Sequence, residues 1–291
     1  MGERKLMYPR AFDYLAPSTL DEALGVVGEG AKVMAGGMSL IPLMKTRLFS
    51  PPVVVDIGRL PDLDAISDEG AYISIPALVR HAITATDPLI AEHGAALAKA
   101  AQVTGDVQVR NRGTTCGSLA HSDVAADQPA AVIALGGKMI ARSASGTREI
   151  QASEFCIDAL TSALEPDEIL VEIQLPKLGP GEASAYDKLG RRGGHSDYAV
   201  AGAAAWVKKS NGTVEDARVG LTGVGTKPSL ALSVANALIG TDGSDEAVKA
   251  AAEHTLEDVT VLEDLYGSVE YKSHLAKVFV ARALRQALDA V

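Results

Sequence analysis

The stretch Pro51-Pro52-Val53-Val54-Val55-Asp56-Ile57 narrows most what this chain can fold into. Three consecutive valines and an isoleucine are stiff at χ1 and suit an extended backbone, while two prolines bar a helix from running into them. The run has almost no polar alternation, so it needs cover on both faces, as a strand inside a parallel sheet has. Upstream, residues 11–15 form a short apolar run. Ser18, with Asp21 three residues on, predicts a helix start continued by Leu20, Leu24 and Val27. Lys32-Val33-Met34-Ala35 reads as a strand, Gly36-Gly37 breaks it, and residues 40–48 have helical apolar spacing. The order β-α-β-α-β predicts a small parallel unit over residues 1–57.

Beyond residue 58 the pattern becomes mixed. Residues 71–75 alternate as a strand, 89–103 read as one Ala-rich helix, and 105–118 have loop composition. Pro129 suits the first turn of a helix reaching Leu135, and residues 138–144 and 168–175 read as strands. Pro176-Lys177-Leu178-Gly179-Pro180-Gly181 is the clearest linker. After it, residues 199–208 and 214–221 predict a strand pair around Ser210-Asn211-Gly212, followed by helices near 229–239, 244–254 and 271–289. The expected class is α+β. An N-terminal α/β unit (1–57) and a larger mixed α/β unit (58–178) precede an α+β C-terminal domain (179–291) with antiparallel strands.

Charge and cysteine usage exclude several functions. With 27 basic and 37 acidic residues the net charge is −10, which opposes attraction to nucleic acid or anionic membranes. Every apolar stretch is broken well before the ~18 residues of a membrane span, and residues 1–10 lack the apolar core of a signal peptide. Cys116 and Cys156 form no C-x-x-C pair, and His81, His93, His121, His195, His254 and His274 show no metal-binding spacing. The expectation is a cytoplasmic chain with no metal ligands and no catalytic residue of its own.

Two segments point to a ligand. In Ala35-Gly36-Gly37-Met38-Ser39-Leu40 a glycine pair between strand and helix lets backbone amides approach an anion. Residues 108–127, QVRNRGTTCGSLAHSDVAAD, combine hydroxyls, small residues and two arginines with Asp123 and Asp127. Such a stretch offers donors for phosphate and a carboxylate for sugar hydroxyls. Neither G-x-G-x-x-G nor a G-x-x-x-x-G-K-[ST] loop occurs, and Gly220-Leu221-Thr222-Gly223-Val224-Gly225 has the wrong spacing.

Together, residues 35–45 and 108–130 resemble the two cofactor motifs of the FAD-binding medium subunit of molybdenum hydroxylases, the carbon-monoxide dehydrogenase and xanthine dehydrogenase type. The likeness continues through Tyr8-Pro9, Phe12-Asp13-Tyr14, Val55-Asp56-Ile57, Asp167–Leu170, Lys188–Arg192 and Asp197-Tyr198-Ala199, and spans roughly residues 8 to 207. The resemblance implies a two-subdomain FAD-binding module of the PCMH type with a third domain over the flavin. It also implies that Lys32, Val33, Met34, Ala35, Gly36, Gly37, Met38, Ser39 and Leu40 wrap the adenine diphosphate. Thr114, Thr115, Cys116, Gly117 and Ser118 would form the opposing phosphate turn, and Asp127 would bind ribityl or ribose hydroxyls. Ile169 and Leu170 would pack on the ring system, Lys188 would approach the flavin's polar edge, and Tyr198 would cover one ring face.

Two positions depart from the family pattern. Met38 stands where His is usual, and Cys116 where Gly is usual. Met can still pack on adenine. Cys116 is tolerable if its φ is negative, and a thiolate beside basic groups would be reactive. With FAD on this chain, the molybdopterin-type cofactor and [2Fe-2S] clusters would sit on a large and a small partner subunit, in a dimer of heterotrimers. Electrons would pass from the clusters through FAD to an external acceptor. The alternatives are an FAD-free scaffold subunit of such a complex and a self-sufficient flavin oxidoreductase.

Overall fold

The computed structural model describes residues 7–192 and 197–291. Most of the segment read above as lacking a leader core, and His195, therefore lie outside the described residues.

The valine run forms the middle strand of a three-stranded parallel sheet. β1 (Asp13–Leu15), β2 (Ala31–Met34) and β3 (Val53–Asp56) lie in the order β1-β3-β2, all parallel. Val54 and Val55 are 1% and 0% exposed, whereas the edge strand β1 is exposed throughout. The first helix is Leu20–Leu24, and its cap is Thr19 rather than Ser18. Thr19 accepts from the Glu22 amide, while the Glu22 carboxylate accepts from the Ser18 amide and hydroxyl at 2.8 and 2.7 Å. Glu22 reaches back past the cap to Ser18, a variant of the capping box that leaves Ser18 outside the helix and Thr19 as its cap.

The middle of the chain builds a five-stranded antiparallel sheet. Its strands are β4 (Ser67–Asp68), β5 (Tyr72–Pro76), β6 (Lys138–Ser143), β7 (Gly146–Gln151) and β10 (Ile169–Pro176), in the order β4-β5-β10-β6-β7. A two-stranded hairpin, β8 (Cys156–Asp158) and β9 (Thr161–Ser162), precedes β10. The single helix expected over 89–103 is two, Pro88–His93 and Ala95–Gln102, parted at Gly94. Gly94 closes the first by donating to the Ile90 carbonyl, and the Ser184 hydroxyl, from a distant strand, accepts from the Ala96 amide at 3.1 Å. The expected loop over 105–118 also holds helix, Val107–Arg110 and the first half of Thr115–His121. Asp106 and Thr114 supply the caps, accepting from the amides of Val109 and Gly117.

The C-terminal domain is a four-stranded antiparallel sheet. It runs β11 (Glu182–Gly190), β12 (Ala199–Ser210), β13 (Thr213–Thr222), β14 (Ser229–Leu230), covered by helices Leu232–Leu238, Asp245–Glu253 and Val269–Leu288. The expected turn is present: Asn211 and Gly212 both have positive φ, 50° and 79°, as a two-residue hairpin requires. Both faces of β12 are buried. Ala201, Ala203, Ala205 and Val207 pack into the helical C-terminal core, while Ala204 and Trp206 enter the core of the middle domain. Helix Asp127–Ala134 lies against β13 so closely that a Cβ on Gly220 would stand 2.1 Å from the Ala130 carbonyl oxygen. The glycines at 220 and 223 thus serve packing and a turn, not phosphate. No helix among the described residues is long and apolar enough to cross a membrane.

Candidate functional site

The two glycine-rich segments meet. A Cβ on Gly36 would lie 2.0 Å from the Arg112 carbonyl oxygen and 2.8 Å from the Gly113 Cα, so glycine is required for the turns to touch backbone to backbone. Gly37 takes φ +73°, a left-handed conformation that favours glycine. Beside this contact lies a cleft of about 690 Å3 lined by residues 31–40 on one side and by 113, 114 and 116–118 on the other. That volume suits a bound small molecule or cofactor. Among the described residues the amides of Gly36, Gly37, Met38, Ser39 and Leu40 find no protein acceptor. A row of unpaired amides at a glycine turn is a nest for an anion.

Most of the residues singled out above face this cleft. Lys32 through Leu40, Thr114, Gly117, Ser118, Asp127, Ile169, Leu170 and Tyr198 all line it. Burial holds the Lys32 ammonium below its ordinary pKa. Cys116 borders it, but its side chain is 2% exposed, within the middle-domain core, and Sγ donates to the Ile75 carbonyl at 3.4 Å. Its φ is not positive, so the cysteine is tolerated without strain. The reactive thiolate weighed from the sequence does not fit, because burial pushes this thiol up from its ordinary value. Cys156 is also buried and unpaired. Ellman's reagent is expected to label neither cysteine in the native chain and both after denaturation; rapid native labelling would contradict the packing.

Two site residues stand elsewhere. Thr115 is fully buried behind the wall, its hydroxyl 2.7 Å from that of Thr84. Lys188 does not line the cleft. Its side chain is 1% exposed, and Nζ donates to Asp127 Oδ2 at 2.8 Å, to the Val103 carbonyl at 3.1 Å and to the Asp197 carbonyl. The alternating pleat of β11 turns it inward, so it braces the carboxylate that faces the cleft.

Asp127 is the most heavily engaged group in the site. Its Oδ1 accepts from the Tyr186 hydroxyl at 2.5 Å and Oδ2 from Lys188 and from Thr104 at 3.3 Å. A carboxylate has about four acceptor positions, so about one remains for a ligand hydroxyl. Burial pushes its pKa up, to about 6, against the pull of Lys188, and burial also holds the Lys188 ammonium below its ordinary value.

At the far end Tyr198 is 41% exposed on the cleft wall. Burial of its hydroxyl end raises its pKa. The Arg191 guanidinium lies 5.1 Å from its ring centre and 4.5 Å from that of Tyr266, so Tyr198 is backed by a cation–π stack.

The cleft also contains residues to which the sequence analysis assigned no individual role. His121 and Asp123 lie within the second motif, so their position there was a usable signal. Leu164 and Glu168 come from the loop before β10, and His81 and Thr104 from segments with no motif. Among the described residues no group of three or more His, Cys, Asp or Glu side chains could hold a metal ion.

Touching glycine turns, a cleft with unpaired amides along it and an antiparallel domain packed against the middle of the chain define a chain built to hold a nucleotide-type cofactor. The comparisons identify which kind. Residues 10–178 match the FAD binding domain in molybdopterin dehydrogenase, and residues 184–287 the CO dehydrogenase flavoprotein C-terminal domain. The chain belongs to the FAD-binding medium-subunit family of molybdenum hydroxylases, and as such is an oxidoreductase subunit. It is 37% identical to the carbon monoxide dehydrogenase medium chain of Hydrogenophaga pseudoflava over 97% of this chain and 98% of that one. It is 35% identical to the 6-hydroxypseudooxynicotine dehydrogenase complex subunit alpha of Paenarthrobacter nicotinovorans, covering 97% and 96%. A solved structure of the Hydrogenophaga pseudoflava carbon monoxide dehydrogenase superposes with a TM-score of 0.93 at 38% identity, over 97% of this chain and 99% of that chain. Quinoline 2-oxidoreductase from Pseudomonas putida 86 gives 0.90 at 32%, covering 98% and 99%.

Proposed function

We propose that this chain holds FAD in the cleft and acts as the electron-relaying subunit of a molybdenum hydroxylase. The contact of Gly36 with Arg112 and Gly113, with unpaired amides at 36–40 opening onto the cleft beside it, carries this reading. The residues present fit the cofactor. Gly36, Gly37 and Ser39 would donate to one side of the diphosphate and Thr114, Gly117 and Ser118 to the other, with Lys32 to Ala35, Met38 and Leu40 along the adenine half. Asp127 would accept from a ribityl hydroxyl at its remaining position, Ile169 and Leu170 would pack on the ring system, and Tyr198 would cover a ring face. Cys116, Thr115 and Lys188 act from behind: the first two fill the wall, and the third holds Asp127.

Flavin joins one-electron carriers to two-electron acceptors. Relay through this chain therefore calls for partners, a large subunit with the molybdopterin-type cofactor and a small subunit with [2Fe-2S] clusters, paired as a dimer of heterotrimers in the cytoplasm. Division of the chain at 57/58 and 178/179 belongs to the same reading and is supported by the sheets, none of which crosses either boundary.

The test is spectroscopic. The purified chain is expected to bind FAD and turn yellow, and to oxidise none of the complex's substrate without its partners. A chain that takes up no flavin would be a scaffold subunit, and substrate turnover by the chain alone would make it a self-sufficient oxidoreductase.

A further inference from the structure

His81 lines the cleft and has been given no role so far. It is 5% exposed, sits at the start of helix His81–Thr84, and is held against the second glycine turn by donating its backbone amide to the Gly113 carbonyl at 3.0 Å. Its ring lies directly beside that turn. A Cβ on Gly113 would meet Nε2 at 2.7 Å, and Gly113 is the residue against which Gly36 packs. The imidazole thus reaches the cleft where the two turns touch.

The hydrogen bonds around it set its tautomer. The single hydroxyl proton of Thr104 is shared between the Ala100 carbonyl at 2.8 Å and Asp127 Oδ2 at 3.3 Å, so towards Gln128 the hydroxyl is an acceptor. The nitrogen of the Gln128 amide therefore faces both Thr104 at 3.4 Å and His81 Nδ1 at 2.7 Å, and Nδ1 accepts. The ring proton is left on Nε2, which has no acceptor among the described residues. Burial keeps the ring neutral by lowering its pKa to about 4.

We propose that His81 is a further cofactor-binding residue, donating from Nε2 to the diphosphate of FAD; this rests on the FAD reading above. A hydrogen-bond donor nine-tenths buried, aligned by Gln128 and opening onto the junction of two phosphate-type turns, has a charged oxygen as its fitting partner. The contact adds a side-chain donor to a cradle otherwise made of amides and hydroxyls. It also gives Gln128 and Thr104 a positioning role, since they decide which ring nitrogen carries the proton.

Two substitutions separate this role from packing. In His81→Gln the side-chain amide can present its nitrogen near the Nε2 position, whereas in His81→Asn the shorter amide reaches only the Nδ1 position and the bond to Gln128. Both remove the ring. FAD affinity, read from quenching of flavin fluorescence in the full chain, is expected to weaken about tenfold or more in His81→Asn and no more than about threefold in His81→Gln, as loss of a hydrogen bond to a charged group predicts. ADP competition should show the same ordering, and riboflavin binding should not. In the wild-type chain the His81 Nε2–H resonance should move on adding ADP, a readout that needs no variant. Equal affinities in both variants, or an unmoved resonance, overturn the assignment. If ADP binding is unchanged and riboflavin binding weakens, the partner is a ribityl oxygen and the diphosphate assignment is wrong. A wild-type chain that takes up no FAD overturns the functional reading itself, and is distinguished by that control.

Discussion

Replacing Gly36 with valine is expected to leave a folded chain that takes up almost no FAD. The first added carbon would stand 2.0 Å from the Arg112 carbonyl oxygen and 2.8 Å from the Gly113 Cα, and backbone cannot swing aside as a side-chain end can. The turns must separate, and donors placed on both for one diphosphate then lose their spacing. A loss of at least about a hundredfold in FAD affinity follows, about 2.7 kcal/mol. Alanine at Gly28, where nothing lies within 4 Å of the added carbon, is the control and should bind as wild type. Equilibrium dialysis of FAD against both variants decides the matter. Normal flavin uptake by the valine variant would mean the contact between the turns does not organise the site.

The second large effect is on stability. Changing Lys188 to methionine removes the cation from a pair whose side chains are 1% and 4% exposed and strands the Asp127 carboxylate among buried groups. Breaking a buried pair on one side costs about 3–5 kcal/mol, a large share of a typical domain's stability. The loss should appear as a lower denaturation midpoint in the apo chain. Adding Asp127→Leu should recover part of it, because no buried carboxylate is then left without its cation, although the Tyr186 hydroxyl loses its acceptor. A Lys188→Met chain as stable as wild type would show that Lys188 does not brace Asp127.

Much of this molecule was legible in the chain where local chemistry and final packing agree. Val53–Asp56 has a composition that no helix or exposed strand suits, and Asn211-Gly212 fits one turn type, so both came out as read. Legibility fell where the deciding contact is distant. β11 reads weakly because Glu182–Gly190 is rich in small and charged residues, and only the neighbouring β12 makes it a strand. Gly94 divides a helix because Ser184, ninety residues on, helps to start the second half. In the site, residues supplied by backbone turns were found, since a glycine pair announces itself. Side-chain direction was harder. Lys188 was read as facing the flavin, but the alternation of β11 and a buried Asp127 turn it inward. His81 lies in no motif, and only the approach of Gly113 gives it a use.

The position of β12 has a mechanical consequence. Alternate residues of one strand belong to two different cores, so it works as a party wall, and neither room can be demolished without opening the other. Rigid-body hinging of the C-terminal domain would have to tear Ala204 and Trp206 from their neighbours, a cost in exposed apolar surface that small thermal fluctuations do not meet. Whatever docks on the outer helices of that domain therefore pushes on the cleft through a stiff member rather than a swivel.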